Sequence, residues 1–206
     1  MGILGGAHAR AGHDTGRRGT PIMRHVVRRL AVLAALACAA GASAQDLSAA
    51  ASSEYLIKAG YIYNFAKLVE WPAAAGRRGQ PMVIGVLGND AFAAVLDQVV
   101  NGKTIDERPL RVKRLPAKDV KDCGCQILFV AAAESGRADD VIAAHGGSPV
   151  LTIAEAPDFA SRGGIIALVL QDSKVRFIIN VEAAAQGALS ISSRLLALAT
   201  VVQTAR

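Results

Sequence analysis

The chain has 206 residues, of which 52% are hydrophobic and 19% charged, a composition that excludes a disordered or collagen-like chain and suits a globular core. The formal net charge is +6, but residues 1–44 carry six basic side chains and one acidic one, which leaves +1 for residues 45–206. The basic excess therefore lies in the N-terminal leader, and the rest of the chain lacks the basic stripe typical of nucleic-acid binding.

The leader has the pattern of a secretory signal peptide. Basic residues up to Arg29 precede an apolar run at Leu30–Ala40, and small residues at Ala42 and Ala44 follow. A positive segment, a short apolar segment and an A-x-A site predict export with cleavage after Ala44. Because the first residues are aperiodic and rich in Gly and Arg, we expect translation to begin at Met23.

This cleavage site sets the predicted domain boundary. Residues 1–44 form the leader, and residues 45–206 form one exported domain. Lipoprotein cleavage before Cys38 is the alternative, but Ala35 stands where such sites usually have Leu. Since the sequence has no second apolar run of the ~20 residues that span a bilayer, we expect a soluble protein of a bacterial periplasm.

In chain order, the mature sequence begins with an amphipathic helix. Apolar residues recur at helical spacing over Glu54–Glu70, and Pro72 ends this helix. A buried strand is predicted at Met82–Leu87, followed by a helix that Asp90 caps. Alternating apolar and basic residues at Leu110–Leu115 predict a half-exposed strand.

Seven further elements continue this alternation. They are strands at Ile127–Val130, Val150–Ile153, Ile165–Leu170 and Val175–Ile179, a helix at Arg137–Ala144, a helix from the cap Asn180 to Gln186, and a last helix at Ser192–Val202. The dipeptide Asp172-Ser173 predicts a tight turn between two antiparallel strands, and the last helix is expected to bury Leu198. The pattern predicts a single layered α/β domain, in which helices flank a mixed, Rossmann-like β-sheet and an N-terminal helix precedes it.

Common catalytic signatures are missing from the sequence. The mature chain lacks the G-x-S-x-G, H-E-x-x-H, P-loop and EF-hand patterns. The turn at Gly85–Asp90 lacks the spacing of a dinucleotide fingerprint, and His145 suits a helix C-terminus better than catalysis. Cys123 and Cys125, with His145, do not have the spacing of a usual zinc site. We therefore expect no cofactor and no metal, and the sequence motifs give no support to a catalytic site.

The segment Cys123-Gly124-Cys125 allows two main interpretations, with an intermolecular bridge as a third. In an oxidising compartment the two thiols can pair as a redox-active disulfide, and Gly124 would ease the backbone geometry of so short a loop. Alternatively, Cys125 is a buried cysteine at the start of a strand and Cys123 is free. The sequence favours neither.

The aromatic stretch at Tyr61–Pro72 is the most unusual segment. Asn64 is a poor helix former within it, so its side chain needs a hydrogen-bond partner if it is buried. The simplest interpretation is a helix packed on the sheet, with Trp71 as its lid. Alternatively, Glu70 and Trp71 line a shallow pocket or a partner surface, because Trp is a common interface anchor.

Several short segments resemble, in the same order, the YfiR-like family of periplasmic proteins. They are Glu54–Ala59, Tyr63–Lys67, Val69–Pro72, Cys125–Val130, Pro149–Ile153, Arg162–Ile166, Val175–Asn180 and Ile191–Ala199. The resemblance covers nearly the whole mature chain. It includes a departure: of the family's best-known cysteine positions only Cys125 is matched, Gly85, Ala160 and Ala167 occupy the others, and Cys123 is additional.

The resemblance implies a regulator and not an enzyme. Similar proteins hold an inner-membrane diguanylate cyclase inactive through its periplasmic domain, form homodimers, and are sequestered by an OmpA-like outer-membrane lipoprotein. The implied output is cyclic-di-GMP, and hence biofilm formation, without nucleic-acid binding. The alternative function is a periplasmic sensor, without a cyclase partner, that binds a small ligand or peptidoglycan fragment near Trp71 and Gly163-Gly164. The expected partner or ligand surface comprises Asn64, Glu70, Trp71, Arg162, Gly163 and Gly164.

Overall fold

The computed structural model describes residues 51–76 and 78–204. The predicted signal peptide, its cleavage after Ala44 and the start at Met23 lie outside the described residues. Across the described ranges, none of the helices combines the length and apolar character needed to cross a membrane.

Helices and strands alternate through the described residues. The helices are α1 (51–68), α2 (Asp90–Val100), α3 (Ala138–His145), α4 (Val181–Gln186) and α5 (Ser193–Leu196). The strands are β1 (Val69–Glu70), β2 (Met82–Leu87), β3 (Thr104–Ile105), β4 (Arg108–Leu115), β5 (Ile127–Val130), β6 (Leu151–Ala154), β7 (Ile166–Gln171), β8 (Lys174–Asn180), β9 (Ser190–Ile191) and β10 (Thr200–Val202). Short 3-10 helices lie at Ala73–Ala75, Ala117–Asp119 and Ala132–Arg137.

Eight of these strands form one mixed sheet in the order β10-β8-β7-β6-β5-β2-β4-β3, while β1 and β9 pair separately. The central strands β7, β6, β5, β2 and β4 are parallel, so their carboxyl ends meet at one edge of the sheet. The chain moves from β2 to β4 on one side and then returns to β5 on the other. This reversal makes the β2–β5 junction the topological switch point of the sheet, and the predicted mixed α/β architecture is confirmed.

One face of the sheet is covered by α1. Ala59, Ile62, Phe65 and Ala66 are fully buried, and their spacing places them on one side of the helix. The ring centroid of Phe65 lies 5.1 Å from that of Phe177 on β8. The apolar residues that predict this helix are therefore the ones that it buries against the sheet, and together with that face of the sheet they form the core under α1.

The opposite face has a second core. Because alternate residues of a strand point to opposite sides, Phe129 joins the core under α1, whereas Leu128 and Val130 join the second. Val141 of α3 and Phe159 fill this second core. The sheet is therefore covered on both faces, which is the arrangement expected of parallel strands.

The first helix ends earlier than the sequence predicts. Residues 51–68 are helical, but Val69 and Glu70 form β1 and pair with Ile191 and Ser190. The prediction that this helix continues to Glu70 is wrong because a distant segment of the chain captures its last two residues.

The predicted long C-terminal helix is also wrong. Ser192 caps only the short helix α5, and the β-branched residues of Thr200–Val202 pair in parallel with β8. Leu198, expected to be buried, is 70% exposed. At this point the backbone pairing of residues 200–202 with β8 prevails over the helical spacing of the leucines.

Turns and caps follow the sequence closely. Asp172 and Ser173 both have positive φ, at 50° and 58°, and join β7 to β8 as an antiparallel hairpin, as predicted. Asn180 caps α4 by accepting a hydrogen bond from the backbone N–H of Ala183 at 2.9 Å. The cap of α2, however, is Asn89, one residue before the predicted Asp90.

We predict that Phe65→Ala lowers the free energy of unfolding by about 3–5 kcal/mol, because it removes a fully buried ring from the core under α1. Leu56→Ala, on the same helix but 56% exposed, is the matched control and should change it by less than about 0.5 kcal/mol. Urea melts of the two variants measure both values. Equal losses would show that burial of α1 does not hold the domain together.

Candidate functional site

A cavity of about 410 Å³ lies at the carboxyl edge of the parallel strands, at the switch point. Glu54, Tyr55 and Lys58 of α1 form one wall, and Asn89, directly after β2, and Glu155, directly after β6, face them. Ligands of open α/β sheets bind at this place because loops diverge there on either side of the sheet. The cavity is therefore the candidate functional site of the domain.

A buried lysine organises the charges of this cavity. Lys58 is 9% exposed and forms ion pairs with both Glu54 and Glu155. The second carboxylate oxygen of Glu155 accepts a hydrogen bond from the backbone N–H of Ala132 at 2.8 Å. This network ties α1 to the loops that follow β5 and β6.

The pKa of Lys58 is shifted by two opposing effects. Burial alone lowers it, but the hydrogen bonds and negative charges of Glu155 and Glu54 more than offset burial, so the pKa lies above its ordinary value of 10.5. The ammonium therefore remains charged throughout the physiological range.

Asn89 links three elements at the same edge. Its side-chain N–H donates to the phenol oxygen of Tyr55 at 2.9 Å, and its side-chain oxygen accepts from the backbone N–H of Phe92 at 2.9 Å. The second bond caps α2, and the first holds the Tyr55 ring at the cavity wall. The orientation of Tyr55 is thus fixed by the start of α2.

Three of the predicted site residues lie at the end of α1 and in the segment after it. Asn64 is exposed, so its side chain meets no desolvation cost on the helix. Glu70 is exposed on β1, and Trp71 is half-buried, with its indole N–H 3.5 Å from the carbonyl oxygen of Ala66. Trp71 packs against the core under α1.

The other three predicted residues belong to a turn near α3. Arg162 pairs with Asp139 and with Asp158. Gly163 has a φ of +112°, and a Cβ at Gly164 would lie 2.2 Å from the ring of Phe159. Gly163 is therefore explained by its backbone conformation, and Gly164 by the close approach of the Phe159 ring.

These two groups of predicted residues are not brought into one site. Gly163 lies beside Ile142, which packs against the second core, whereas Trp71 packs against the core under α1. The two groups thus lie near the cores on opposite faces of the sheet. The cavity at the switch point contains neither group.

Cys123 and Cys125 form a disulfide in the structure, and they are only 2% and 5% exposed. The two features that the sequence left as alternatives, a bridge and burial, occur together. Gly85 on β2 faces the pair, since a Cβ there would lie 3.2 Å from the sulfur of Cys125. The bridge forms part of the second core.

His145 is buried and contacts a backbone carbonyl group, as expected of a residue with a structural role. It is buried at the end of α3, and its Nε2 lies 2.7 Å from the carbonyl oxygen of Val120. Over residues 51–76 and 78–204, no group of His, Cys, Asp and Glu side chains has the arrangement to hold a metal ion.

The sequence analysis missed the residues that line the cavity. One signal was present, because Glu54 and Lys58 are four residues apart on a helix, in the order that favours pairing. A second was the position of Asn89 and Glu155 directly after buried strands. Neither signal shows that Lys58 and Glu155, which are 97 residues apart, form one ion pair.

A family of known proteins matches the described domain. The family described as YfiR/HmsC-like matches residues 55–200 of the chain. No curated protein matches the chain significantly.

Three solved structures show weak similarity. The ABC domain in complex with L-Trp from Streptococcus pneumonia has 12% identity and a TM-score of 0.44, over 59% of this chain and 55% of that one. A ligand-free, open substrate-binding protein with adhesive properties from Clostridium difficile has 11% identity and a TM-score of 0.43, over 60% and 55%. A conserved domain protein from Vibrio cholerae has 17% identity and a TM-score of 0.42, over 58% and 54%. The chain thus spans just over half the length of the structures that it matches.

The ion pairs of Lys58 predict a pH dependence of stability. Because the folded-state pKa lies above 10.5, the stability that Lys58 contributes is present below about pH 10.5 and is lost as the pH rises through the folded-state value. Lys58→Met should therefore be less stable than the wild type at pH 7, since Glu155 loses its cation. Urea melts at increasing pH should show this difference shrinking in the alkaline range.

Lys67→Met is the control for this experiment, because Lys67 is exposed on the same helix. Its difference from the wild type should stay small across the whole range. A deficit of Lys58→Met that persists unchanged to the most alkaline pH would contradict the assigned ion pairs.

The disulfide predicts a definite peptide mass. Trypsin releases residues 122–137 between Lys121 and Arg137, and this peptide from non-reduced protein should be lighter by two hydrogen masses than after reduction. Reduction of the bridge should change the free energy of unfolding little, because the closed loop removes almost no chain entropy from the unfolded state. A peptide that alkylates fully without reduction would show two free thiols instead.

Proposed function

We propose, since the chain belongs to the YfiR/HmsC-like family, that it is an exported periplasmic regulatory protein that binds and inhibits an inner-membrane diguanylate cyclase. The observation that carries this proposal is the family match, which extends over residues 55–200 and so includes most of α1, the central parallel strands and α5. The family's members are periplasmic regulators rather than enzymes. Inhibition of the cyclase lowers cyclic-di-GMP and biofilm formation.

The proposed contact with the cyclase uses the surface around Trp71. A partly exposed Trp next to the exposed carboxylate of Glu70 offers an apolar anchor with a charged rim, which is a common pattern at protein interfaces. Asn64, exposed on α1, extends this surface. Arg162, Gly163 and Gly164 lie near the second core, on the opposite face of the sheet. We therefore assign them a weaker and separate contribution to partner binding.

Two further partners belong to the proposal. An OmpA-like outer-membrane lipoprotein sequesters the regulator and so relieves inhibition, and the regulator itself is a homodimer. Both come from the resemblance of the sequence to the family. They place this chain between an outer-membrane signal and an inner-membrane receptor.

A second candidate function is a periplasmic sensor of a small ligand or a peptidoglycan fragment that acts without a cyclase. The observation that favours it is the cavity of about 410 Å³ beside Lys58, within the ~300–1,000 Å³ typical of ligand sites. Gene order discriminates the two candidates, because an adjacent gene for a membrane protein with a periplasmic sensor and a cyclase domain favours the regulator.

Deletion of the gene should raise cellular cyclic-di-GMP, and a wild-type copy should restore the low level. A Trp71→Ala copy should fail to restore it, because loss of an interface anchor costs about 2 kcal/mol or more of binding. Glu70→Ala and Arg162→Ala should give milder failures of the same kind. The nucleotide is measured in extracts of each strain.

Leu56→Ala is the control, since Leu56 is exposed near the start of α1, far from the end of this helix at residue 68, and its truncation should restore repression fully. Urea melts separate binding from folding, because truncation of the half-buried Trp71 should cost much less stability than truncation of the fully buried Phe65. Unchanged cyclic-di-GMP in a deletion strain whose parent expresses the protein would contradict the regulator proposal. Early melting of Trp71→Ala would place Trp71 in the core.

A further inference from the structure

We propose that the cavity at the carboxyl ends of β2, β5 and β6 binds a small organic ammonium compound with a short apolar body. This site is separate from the surface around Trp71, and the inference does not depend on inhibition of a cyclase. The cavity has three features that together select such a ligand: an excess of negative charge, an aromatic wall and an apolar wall.

The charges of the cavity favour a cation. Glu54, Lys58 and Glu155 carry a net charge of −1 at pH 7. Both oxygens of Glu155 already have a protein partner, because one pairs with Lys58 and the other accepts from Ala132. Glu54 pairs with Lys58 through Oε1 and its side chain is 32% exposed, so, with respect to residues 51–76 and 78–204, Oε2 can accept a hydrogen bond from a ligand at the mouth of the cavity. A ligand ammonium would neutralise the remaining charge.

Tyr55 adds an aromatic surface beside these carboxylates. Its ring contacts Phe92 in an edge arrangement at 5.6 Å, and its phenol oxygen is held by Asn89, so the ring has a fixed orientation. Aromatic rings attract ammonium groups through their negative faces, and a nearby carboxylate strengthens the attraction. A cation is therefore the charged group that this wall recognises.

The opposite wall is apolar. Leu168, Leu170 and Pro157 line it, together with the small side chains of Ala131 and Ala132. A methylene chain placed against these residues would remove apolar surface from water, which stabilises binding. The cavity volume of about 410 Å³ restricts the ligand to a short body.

An organic anion fits the same cavity poorly. Its carboxylate would have to approach Lys58, the cation of the cavity, beside Glu54 and Glu155, and would then face two protein carboxylates in a partly desolvated space. Like charges so placed repel each other strongly, because the effective dielectric constant near a buried site is low. The sign of the ligand charge is therefore the sharpest test of the proposal.

The experiment titrates the purified, ¹⁵N-labelled protein with n-butylammonium, butyrate and 1-butanol, which share one apolar body and differ in charge. We expect n-butylammonium to shift the amide resonances of Tyr55, Ala132 and Val169 saturably, with an affinity at least about tenfold above that of the other two. Butyrate binding as tightly as n-butylammonium, shifts centred on other residues, or no saturable shift with any compound would each overturn the proposal.

Two charge-matched variants locate the binding. Glu54→Gln removes one carboxylate from the cavity and leaves the Lys58–Glu155 pair, and it should weaken n-butylammonium binding by about fivefold or more. Glu182→Gln removes the same charge from the exposed first turn of α4, at the opposite edge of the sheet, and should leave the affinity within about twofold. Equal effects of the two variants would show attraction to the net charge alone and would overturn the site.

If Glu54→Gln does not fold, the comparison of the three compounds on the wild type still decides the sign of the ligand charge. Cyclic-di-GMP levels do not enter this experiment. Failure of the cyclase proposal therefore leaves the ligand site intact, and failure of the ligand site leaves the cyclase proposal intact.

Discussion

The burial of one face of α1 against the sheet is the constraint on which the rest of the domain depends. Ile62, Phe65 and Ala66 are fully buried and, together with the buried residues of α2, they keep water from one side of the central strands. The same packing fixes the helix in rotation. Lys58 is thereby turned inward toward Glu155, and Asn64 is left on the solvent side. Core packing and the placement of functional groups thus have one physical origin.

The sequence predicted well those elements whose signals are local. The strand Met82–Leu87 and the turn at Asp172-Ser173 depend on a short apolar run and on residues that accept positive φ, and both were found as predicted. The errors came from long-range pairing. Val69–Glu70 left the helical pattern for a partner at Ser190–Ile191, and Thr200–Val202 did so for β8. The spacing of apolar residues in one segment contains no information about a distant strand that can pair with the last residues of that segment.

The candidate site shows the same division. The pairing of Glu54 with Lys58 follows from helical spacing, but the burial of Lys58 requires Glu155, which only the order of the strands brings close. The bridge between Cys123 and Cys125 is similar, because burial depends on the space left by Gly85 on a neighbouring strand. Spacing in the chain indicated that the two cysteines could pair. It could not show that they would do so inside a core.

The two proposed surfaces lie along one helix, which limits how they can affect each other. From Tyr55 to the end of α1 at residue 68 the helix rises by about 20 Å, at 1.5 Å per residue. A ligand with a four-carbon body in the cavity is too short to reach Trp71, so ligand and protein partner would not compete for space.

Any influence of one on the other must pass through α1. Because Ile62 and Phe65 lie between the two surfaces and are fully buried, a displacement at Lys58 would have to shift packed side chains before it reached Trp71. The close packing under α1 therefore both separates the two surfaces and provides the physical connection between them.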